Sequence, residues 1–225
     1  MKMKVTKTNE HENHHIFGLI VGASGVGKTS LVKTLPEEKT LIISAESGLL
    51  SVKDCSIDVI TLKEFDDMYS ILKFLKTPEA IEKYDHVFID SLTEIAESLF
   101  ASLKPKDGKG NLFEIYDKYS TKITGMLKVL RDTANYNIWL TCLDKMVAKD
   151  FTEVVSLDLI QKSLSKKVPA LFDEVFYMTT IEHDSEVKRV LIADNTIADF
   201  SKDRSGKLNK ISLPDLSLIT KTIFQ

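Results

Sequence analysis

The amino-acid sequence predicts an α/β fold, a mostly parallel β-sheet with helices on both faces that is extended by short C-terminal β-strands. Runs of Val, Ile and Leu without polar interruptions alternate with helical patterns, as is typical of parallel strands covered on both faces. The first of these runs leads directly into a glycine-rich stretch, "GASGVGKTS", at residues 22–30. At 225 residues the chain is long enough for one such domain, which we expect at 16–225 behind a flexible tail at 1–15.

Strands and helices are expected to alternate through the first two thirds of the chain. Continuous apolar runs place the strands at 16–21, 40–45, 58–62, 86–90 and 137–143. Apolar side chains at helical spacing place the helices at 28–35, 64–76, 91–103 and 112–135. Residues 144–168 are predicted to be irregular, and shorter strands at 173–181, 188–194 and 196–200 are expected to extend the same sheet.

Composition and charge narrow the classes of protein to which the chain can belong. The net charge of −3 is not that of a polycation, although a local basic loop can still bind phosphates. No apolar run approaches the roughly 20 residues that span a bilayer, and the polar start of the chain has no apolar signal core. We therefore expect a cytoplasmic protein with no membrane partner, in which Cys55 and Cys142 are buried, reduced thiols.

The glycine-rich stretch matches the phosphate-loop pattern G-x-x-x-x-G-K-[ST] from Gly22 to Thr29. Glycines let successive backbone N–H groups turn toward phosphates, and the helix that begins there adds the positive end of its dipole. Lys28 is expected to reach the β- and γ-phosphates, and the Thr29 hydroxyl is expected to coordinate Mg²⁺. The predicted nucleotide-binding residues are Gly22, Ala23, Ser24, Gly25, Val26, Gly27, Lys28, Thr29 and Ser30.

Two carboxylates at the ends of apolar strands complete the predicted site. Asp90 ends the strand "HVFID" and is expected to hold Mg²⁺ together with Thr29, whereas Asp85 precedes that strand and lies at the wrong edge. Glu46 follows the strand at 40–45 and therefore also lies at the carboxyl edge, where ligands of such sheets gather. We expect Glu46 to orient or deprotonate the attacking water; the alternative is an ordinary glutamate at the start of a helix.

These motifs, in this order, resemble those of the RecA-like ATPases. In that family one strand leads into the catalytic glutamate, which "ISAES" resembles at Glu46, and a later strand carries the magnesium-binding residue, which "VFIDSL" resembles at Asp90. The K-x-R-x-G cluster in "DFSKDRSGKL" resembles the lysine and arginine fingers of RadA-type and DnaB-type ring ATPases, which reach into the neighbouring subunit's nucleotide site. The resemblance implies that Lys202 and Arg204 are catalytic in trans and that Gly206 allows the turn.

The overall likeness is to small RecA-like nucleotide-binding proteins of bacteriophages, some of them recombinases of the single-strand annealing kind. It covers roughly residues 16–213 and rests on short motifs. One position departs from the family pattern, because RecA-like proteins carry a polar sensor residue at the end of the fifth strand and this chain has Leu143 there. Thr141 and Asp144 are the candidates to replace that sensor.

The loops that contact DNA in RecA-like proteins, after the fourth and fifth strands, are rich in lysine in this chain. The basic and aromatic residues in or beside them are Lys104, Lys106, Lys109 and Phe113, then Lys145, Lys149, Phe151, Lys162, Lys166 and Lys167. Flexible lysines contact phosphates without reading sequence, which suits single-stranded DNA. The alternative is a solvated loop, since Asp150 and Glu153 lie among these lysines.

The resulting hypothesis is a Mg²⁺-dependent ATPase that binds ATP and works as a homo-oligomer, either a ring or a filament. Its implied role is DNA recombination or annealing with single-stranded DNA as a partner, in the host-cell cytoplasm if a phage encodes it. A P-loop kinase of a nucleoside or small metabolite is one alternative; such enzymes usually carry an arginine-rich lid, whereas residues 104–168 hold a single arginine, Arg131. A nucleotide-switched protein that binds a partner with negligible turnover is the other alternative.

Overall fold

The structure is a computed structural model, and it describes residues 7, 15–46, 48–105, 110–133, 135–149 and 152–225. The predicted tail at 1–15 therefore lies almost wholly outside the described residues, as do Lys106, Lys109 and Phe151. Within the described ranges, no helix has both the length and the apolar character needed to cross a membrane.

The described strands join into one connected sheet. They are β1 Phe17–Gly22, β2 Thr40–Ser44, β3 Asp58–Thr61, β4 His86–Asp90, β5 Asn137–Lys149, β6 Thr152–Leu157, β7 Glu174–His183, β8 Glu186–Ile192, β9 Lys202–Asp203 and β10 Ile211–Ser212. The order across the sheet is β10-β8-β7-β1-β5-β4-β2-β3, with β6 paired to β5 and β9 paired to β7. The β1 strand thus lies between β7 and β5, and β5 separates it from β4.

Parallel pairing is confined to the middle of the sheet. The pairs β7–β1, β1–β5, β5–β4, β4–β2 and β2–β3 are all parallel. The pairs that involve β6, β8, β9 and β10 are antiparallel. The predicted parallel sheet is therefore present at the centre, and the C-terminal strands extend it as expected.

Helices cover both faces of this sheet, as predicted. The α-helices are α1 Asp67–Phe74, α2 Pro78–Lys83, α3 Leu92–Leu103, α4 Leu112–Arg131, α5 Lys162–Lys167 and α6 Leu216–Phe224. The 3-10 helices are Thr29–Thr34, Glu37–Lys39, Leu49–Val52 and Val168–Leu171. One apolar cluster packs α1, α3 and α4 against one face, and a second packs α6 and the first 3-10 helix around Trp139 on the other.

Three sequence predictions are corrected by the fold. The helix at 28–35 is a 3-10 helix at Thr29–Thr34, in which the Thr34 hydroxyl donates to the Leu31 carbonyl at 2.7 Å. The long helix expected at 112–135 ends at Arg131. Cys55 and Cys142 are both free, but only Cys142 is buried.

The C-terminal third differs most from its prediction. Residues 144–168 are not irregular, because β5 continues to Lys149 and forms an antiparallel hairpin with β6 before α5 begins. The predicted strand at 196–200 is a turn, since an Asp194 carboxylate oxygen accepts hydrogen bonds from the backbone N–H and the hydroxyl of Thr196.

Candidate nucleotide site

The phosphate loop connects β1 to the 3-10 helix at Thr29–Thr34. Gly25 and Gly27 have φ angles of 76° and 106°, in the left-handed region that favours glycine. A Cβ atom on Gly22 would stand 2.5 Å from the backbone oxygen of Met178 on the adjacent strand β7. The three glycines therefore let the loop turn tightly against the sheet.

Lys28 is folded back onto this loop. Its Nζ donates to the backbone oxygens of Gly22 and Ala23 at 2.8 and 2.9 Å, and the residue is only 8% exposed. Burial lowers the pKa of Lys28, and the negative charges of Asp90 and Glu46 oppose that shift. The ammonium group is thus held by carbonyls that phosphate oxygens can replace.

Asp90 lies at the end of β4 and is buried beside the phosphate loop. The Thr29 hydroxyl donates to Asp90 Oδ2 at 2.6 Å, and the Thr141 hydroxyl donates to Asp90 Oδ1. A hydroxyl and a carboxylate in contact are oxygen ligands of the kind Mg²⁺ takes, with water and phosphate oxygens as the rest. The described residues contain no cluster of three or more His, Cys, Asp or Glu side chains that could hold a metal by themselves.

Glu46 is held beside Asp90 by contacts between β2 and β4. Ser44 pairs with Asp90 across these strands, and the backbone N–H of Ala45 donates to the Asp90 carbonyl at 2.7 Å. The Ser91 hydroxyl donates to Glu46 Oε1 at 2.7 Å, which fixes the direction of the carboxylate. Ser91 also accepts from the Glu94 N–H at the start of α3, so the same hydroxyl caps a helix.

A cavity of about 270 Å³ opens between these groups. It is lined by Ser24, Gly25, Gly27, Lys28, Thr29, Ser30, Glu46, Ser51, Asp90, Leu143 and Arg189. The structure therefore brings together the four residues predicted to bind phosphate, metal and water, namely Lys28, Thr29, Glu46 and Asp90. Leu143 does line the cavity, and the nearby polar group is Thr141, through its bond to Asp90. Arg189 was not expected, because it lies on β8 and no local motif marks it.

Lys202 and Arg204, the two finger residues, lie near the amino-terminal ends of the parallel strands. We call this side of the sheet the opposite edge, because the phosphate loop lies at the carboxyl ends of the same strands. Lys202 pairs with Val175 near the start of β7, where Glu174 is level with Gly18 of β1. The phosphate loop begins at Gly22, level with Met178, which lies three residues beyond Val175. Three strand residues span roughly 10 Å, and neither finger residue lines the phosphate-loop cavity of its own chain.

The Asp203 carboxylate organises the turn at residues 203–208, which carries Arg204 and which we call the finger turn. It accepts hydrogen bonds from the backbone N–H groups of Gly206 and Leu208, both at 2.9 Å, and from the Ser205 hydroxyl. Gly206 has a φ angle of 67°, so the turn expected at this glycine is present. Beneath the turn, burial and the nearby charge of Asp203 raise the pKa of Glu174 to about 8.

The Arg204 side chain extends from this turn toward the solvent. Its guanidinium donates to Asp173 Oδ1 at 2.7 Å and to the Ala170 carbonyl at 3.4 Å, while its side chain is 55% exposed. Lys202 instead lines a larger cavity of about 750 Å³. Three of the lysines predicted to contact DNA line that cavity too, namely Lys149, Lys162 and Lys166.

The remaining predicted DNA contacts are placed as follows. Phe113, which is 79% exposed, shares a groove of about 510 Å³ with Lys162 and Lys167. Lys145 is engaged by the Leu159 carbonyl and Asp158, and Lys104 lies over the Phe100 ring.

Comparison with known proteins identifies the family of the chain. A family model described as an AAA domain (AAA_24) matches residues 14–205, which include the phosphate loop, both carboxylates and both finger residues. No curated protein matches the chain. Because the family match spans most of the sequence, the chain belongs to the AAA-domain family of P-loop ATPases.

Proposed function

We propose that this protein is a Mg²⁺-dependent ATPase whose subunits act side by side, with single-stranded DNA as a partner. The observation that carries the proposal is that Lys28, Thr29, Glu46 and Asp90 line one cavity at the carboxyl edge of the parallel sheet. These side chains supply a cation for phosphates, oxygens for Mg²⁺ and a carboxylate for water.

Each residue of the site has a distinct role in this proposal. Lys28 exchanges its bonds to the Gly22 and Ala23 carbonyls for bonds to the β- and γ-phosphates. Thr29 and Asp90 hold Mg²⁺, which supplies positive charge to the phosphates when it is bound. Glu46, oriented by Ser91, positions the water that attacks the γ-phosphate.

The finger residues are proposed to act on the nucleotide of an adjoining subunit. Lys202 lies on β9, which pairs with the start of β7, and neither Lys202 nor Arg204 lines the phosphate-loop cavity of its own chain. Arg204 is more than half exposed, so an adjoining subunit can meet its guanidinium. An arginine supplied in trans stabilises the charge that develops during phosphoryl transfer.

Single-stranded DNA is proposed as a partner because cations and an aromatic ring lie on adjacent surfaces. Lys162 lines both the groove that holds Phe113 and the cavity that holds Lys149, Lys166 and Lys202. Lysine side chains can contact a phosphate backbone, as Lys149 now contacts Asp199, and an exposed phenylalanine can stack on a base. This combination supports binding without preference for sequence.

The proposal is tested by measuring ATPase rate per subunit against protein concentration, with and without single-stranded DNA. Sites shared between subunits give a specific activity that rises steeply with concentration, and DNA that promotes assembly shifts the rise to lower concentration. A flat specific activity contradicts the shared site. Turnover that requires a small-molecule acceptor and ignores DNA would instead identify a kinase.

A further inference from the structure

Arg189 on β8 lies against the phosphate loop of its own chain. Its Nε and Cδ atoms are 3.4 and 3.5 Å from where a Cβ atom on Gly27 would stand, and it lines the same cavity as Lys28. The β7–β8 hairpin is the element that carries it there, since Thr180 on β7 pairs with Arg189 and Met178 pairs with Gly22. The guanidinium is therefore at the loop without any contribution from a second subunit.

Arg189 differs in its contacts from the other arginines of the chain. Arg131 pairs with Asp132, and Arg204 pairs with Asp173. Arg189 makes no hydrogen bond or ion pair with any part of the chain that the structure describes, and it is exposed. All five N–H donors of its planar guanidinium can therefore bind a ligand. A phosphate group can accept two parallel hydrogen bonds from such a guanidinium.

We propose that Arg189 binds the α- and β-phosphates of the nucleotide in cis, which deepens the proposed function and rests on it. The sheet order places β7 and β8 on one side of β1, and β5 and β4, with Asp90, on the other. Arg189 therefore approaches the loop from the side opposite the proposed Mg²⁺ ligands. Because Glu46 is proposed to act at the γ-phosphate, on the side of Asp90, Arg189 on the other side holds the end of the polyphosphate that ADP and ATP share.

This assignment divides the cations of the site by task. Lys28 and Arg189 belong to the chain that holds the nucleotide, so they support binding before any assembly. Lys202 and Arg204 come from the adjoining subunit and serve hydrolysis alone. Loss of Arg189 should then reduce affinity for both nucleotides equally, whereas loss of a finger should not reduce affinity at all.

The test is a titration of full-length protein, at a concentration below assembly, with fluorescent ATP and ADP analogues. Arg189→Ala is expected to weaken both by about 10- to 100-fold, the loss of a charge-assisted hydrogen-bonded contact, and Arg189→Lys should recover part of it. The matched control is Lys188→Ala, since Lys188 is the adjacent residue, points to the other face of β8 and pairs with Glu186. Equal thermal unfolding temperatures establish that the variants fold.

Each other outcome overturns a defined part of the account. If wild-type protein binds nucleotide and Arg189→Ala binds it equally well, the role of Arg189 is wrong and the proposed function stands. If the variant loses affinity for ATP but not ADP, the guanidinium contacts the γ-phosphate and our placement of it is wrong. If wild-type protein binds neither nucleotide, the proposed function itself is wrong.

Discussion

The carboxyl edge of the sheet and the opposite edge carry polar residues in different ways. At the carboxyl edge Lys28 and Asp90 are buried and bonded to groups of the same chain. At the opposite edge Asp203 and Glu174 fold a turn, and the cation it displays, Arg204, is more than half exposed. Buried charges are stable only where partners are provided, whereas an exposed cation such as Arg204 can exchange its ion pair with Asp173 for a group of another molecule. The carboxyl edge therefore encloses a cavity suited to a ligand, whereas the opposite edge exposes an arginine that a second molecule can contact.

Replacing Lys28 by Ala should have the largest effect on the carboxyl edge. The change removes the buried cation that we propose binds the β- and γ-phosphates, so nucleotide affinity should fall about 100-fold or more and hydrolysis should be lost with it. Equilibrium titration with a fluorescent ATP analogue measures this. Lys33→Ala is the control, because Lys33 is exposed on the same 3-10 helix. Unchanged affinity in Lys28→Ala would mean that the loop does not hold the phosphates.

Replacing Arg204 by Ala tests the opposite edge. Hydrolysis should fall by about 1,000-fold, the usual cost of losing an arginine finger, while ATP affinity stays near the wild-type value. Asp173→Asn provides the matched control, since it removes the charge that pairs with Arg204 but leaves the guanidinium in place. If Asp173→Asn loses as much activity as Arg204→Ala, the arginine acts through its own chain's ion pair and the finger role is wrong.

Ser91 offers a smaller, graded test of the carboxyl edge. Glu46→Gln should reduce the catalytic rate strongly and leave ATP affinity unchanged, because a neutral amide cannot accept a proton from water. Ser91→Ala keeps the carboxylate but removes the hydrogen bond that orients it, so the rate should fall about 10-fold by lost positioning. Rates at saturating ATP measure both. A Ser91→Ala variant as slow as Glu46→Gln would show that Ser91 does more than position the carboxylate.

The smallest expected effect is a pH dependence at the opposite edge. Burial raises the pKa of Glu174 from 4.5 to about 8, so between these values the folded protein keeps a proton that the unfolded chain has released. The free energy of unfolding contributed by this group therefore falls as the pH rises through that window. Glu174→Gln, which mimics the protonated acid, should gain in unfolding temperature relative to wild type from pH 5 to pH 8. A constant difference across that range would contradict a buried, protonated Glu174.

The carboxyl edge was predictable from sequence because each of its residues is marked locally. A glycine pattern marks Lys28 and Thr29, and the end of an apolar strand marks Asp90 and precedes Glu46. Parallel strands bring their carboxyl ends to one edge, so these local signals were enough to place the residues together. The hydrogen bond from Thr141 to Asp90 depends on the pairing of β4 with β5, and the sequence analysis proposed Thr141 only as a replacement for the sensor residue.

Other parts depended on contacts that a linear pattern does not record. Arg189 reaches the phosphate loop only because β8 folds back along β7, and an arginine in the charged, exposed first half of a strand carries no signal of that. The hairpin of β5 and β6 was missed because lysines interrupt its alternation of apolar residues. At 196–200 the apolar residues predicted a strand. The Asp194 carboxylate instead accepts a hydrogen bond from the backbone N–H of Thr196, which favours a turn.

The central claim is that cations from one chain complete the nucleotide site of the next chain. Mixing two inactive variants tests this claim most directly. Lys28→Ala keeps intact fingers, and Arg204→Ala keeps an intact phosphate loop. In a head-to-tail assembly of equal amounts, random mixing pairs an intact loop with an intact finger at about one quarter of the interfaces. The account predicts that the mixture recovers roughly that fraction of wild-type ATPase activity. A mixture no more active than the two variants measured separately would show that each chain completes its own site, and would contradict the account.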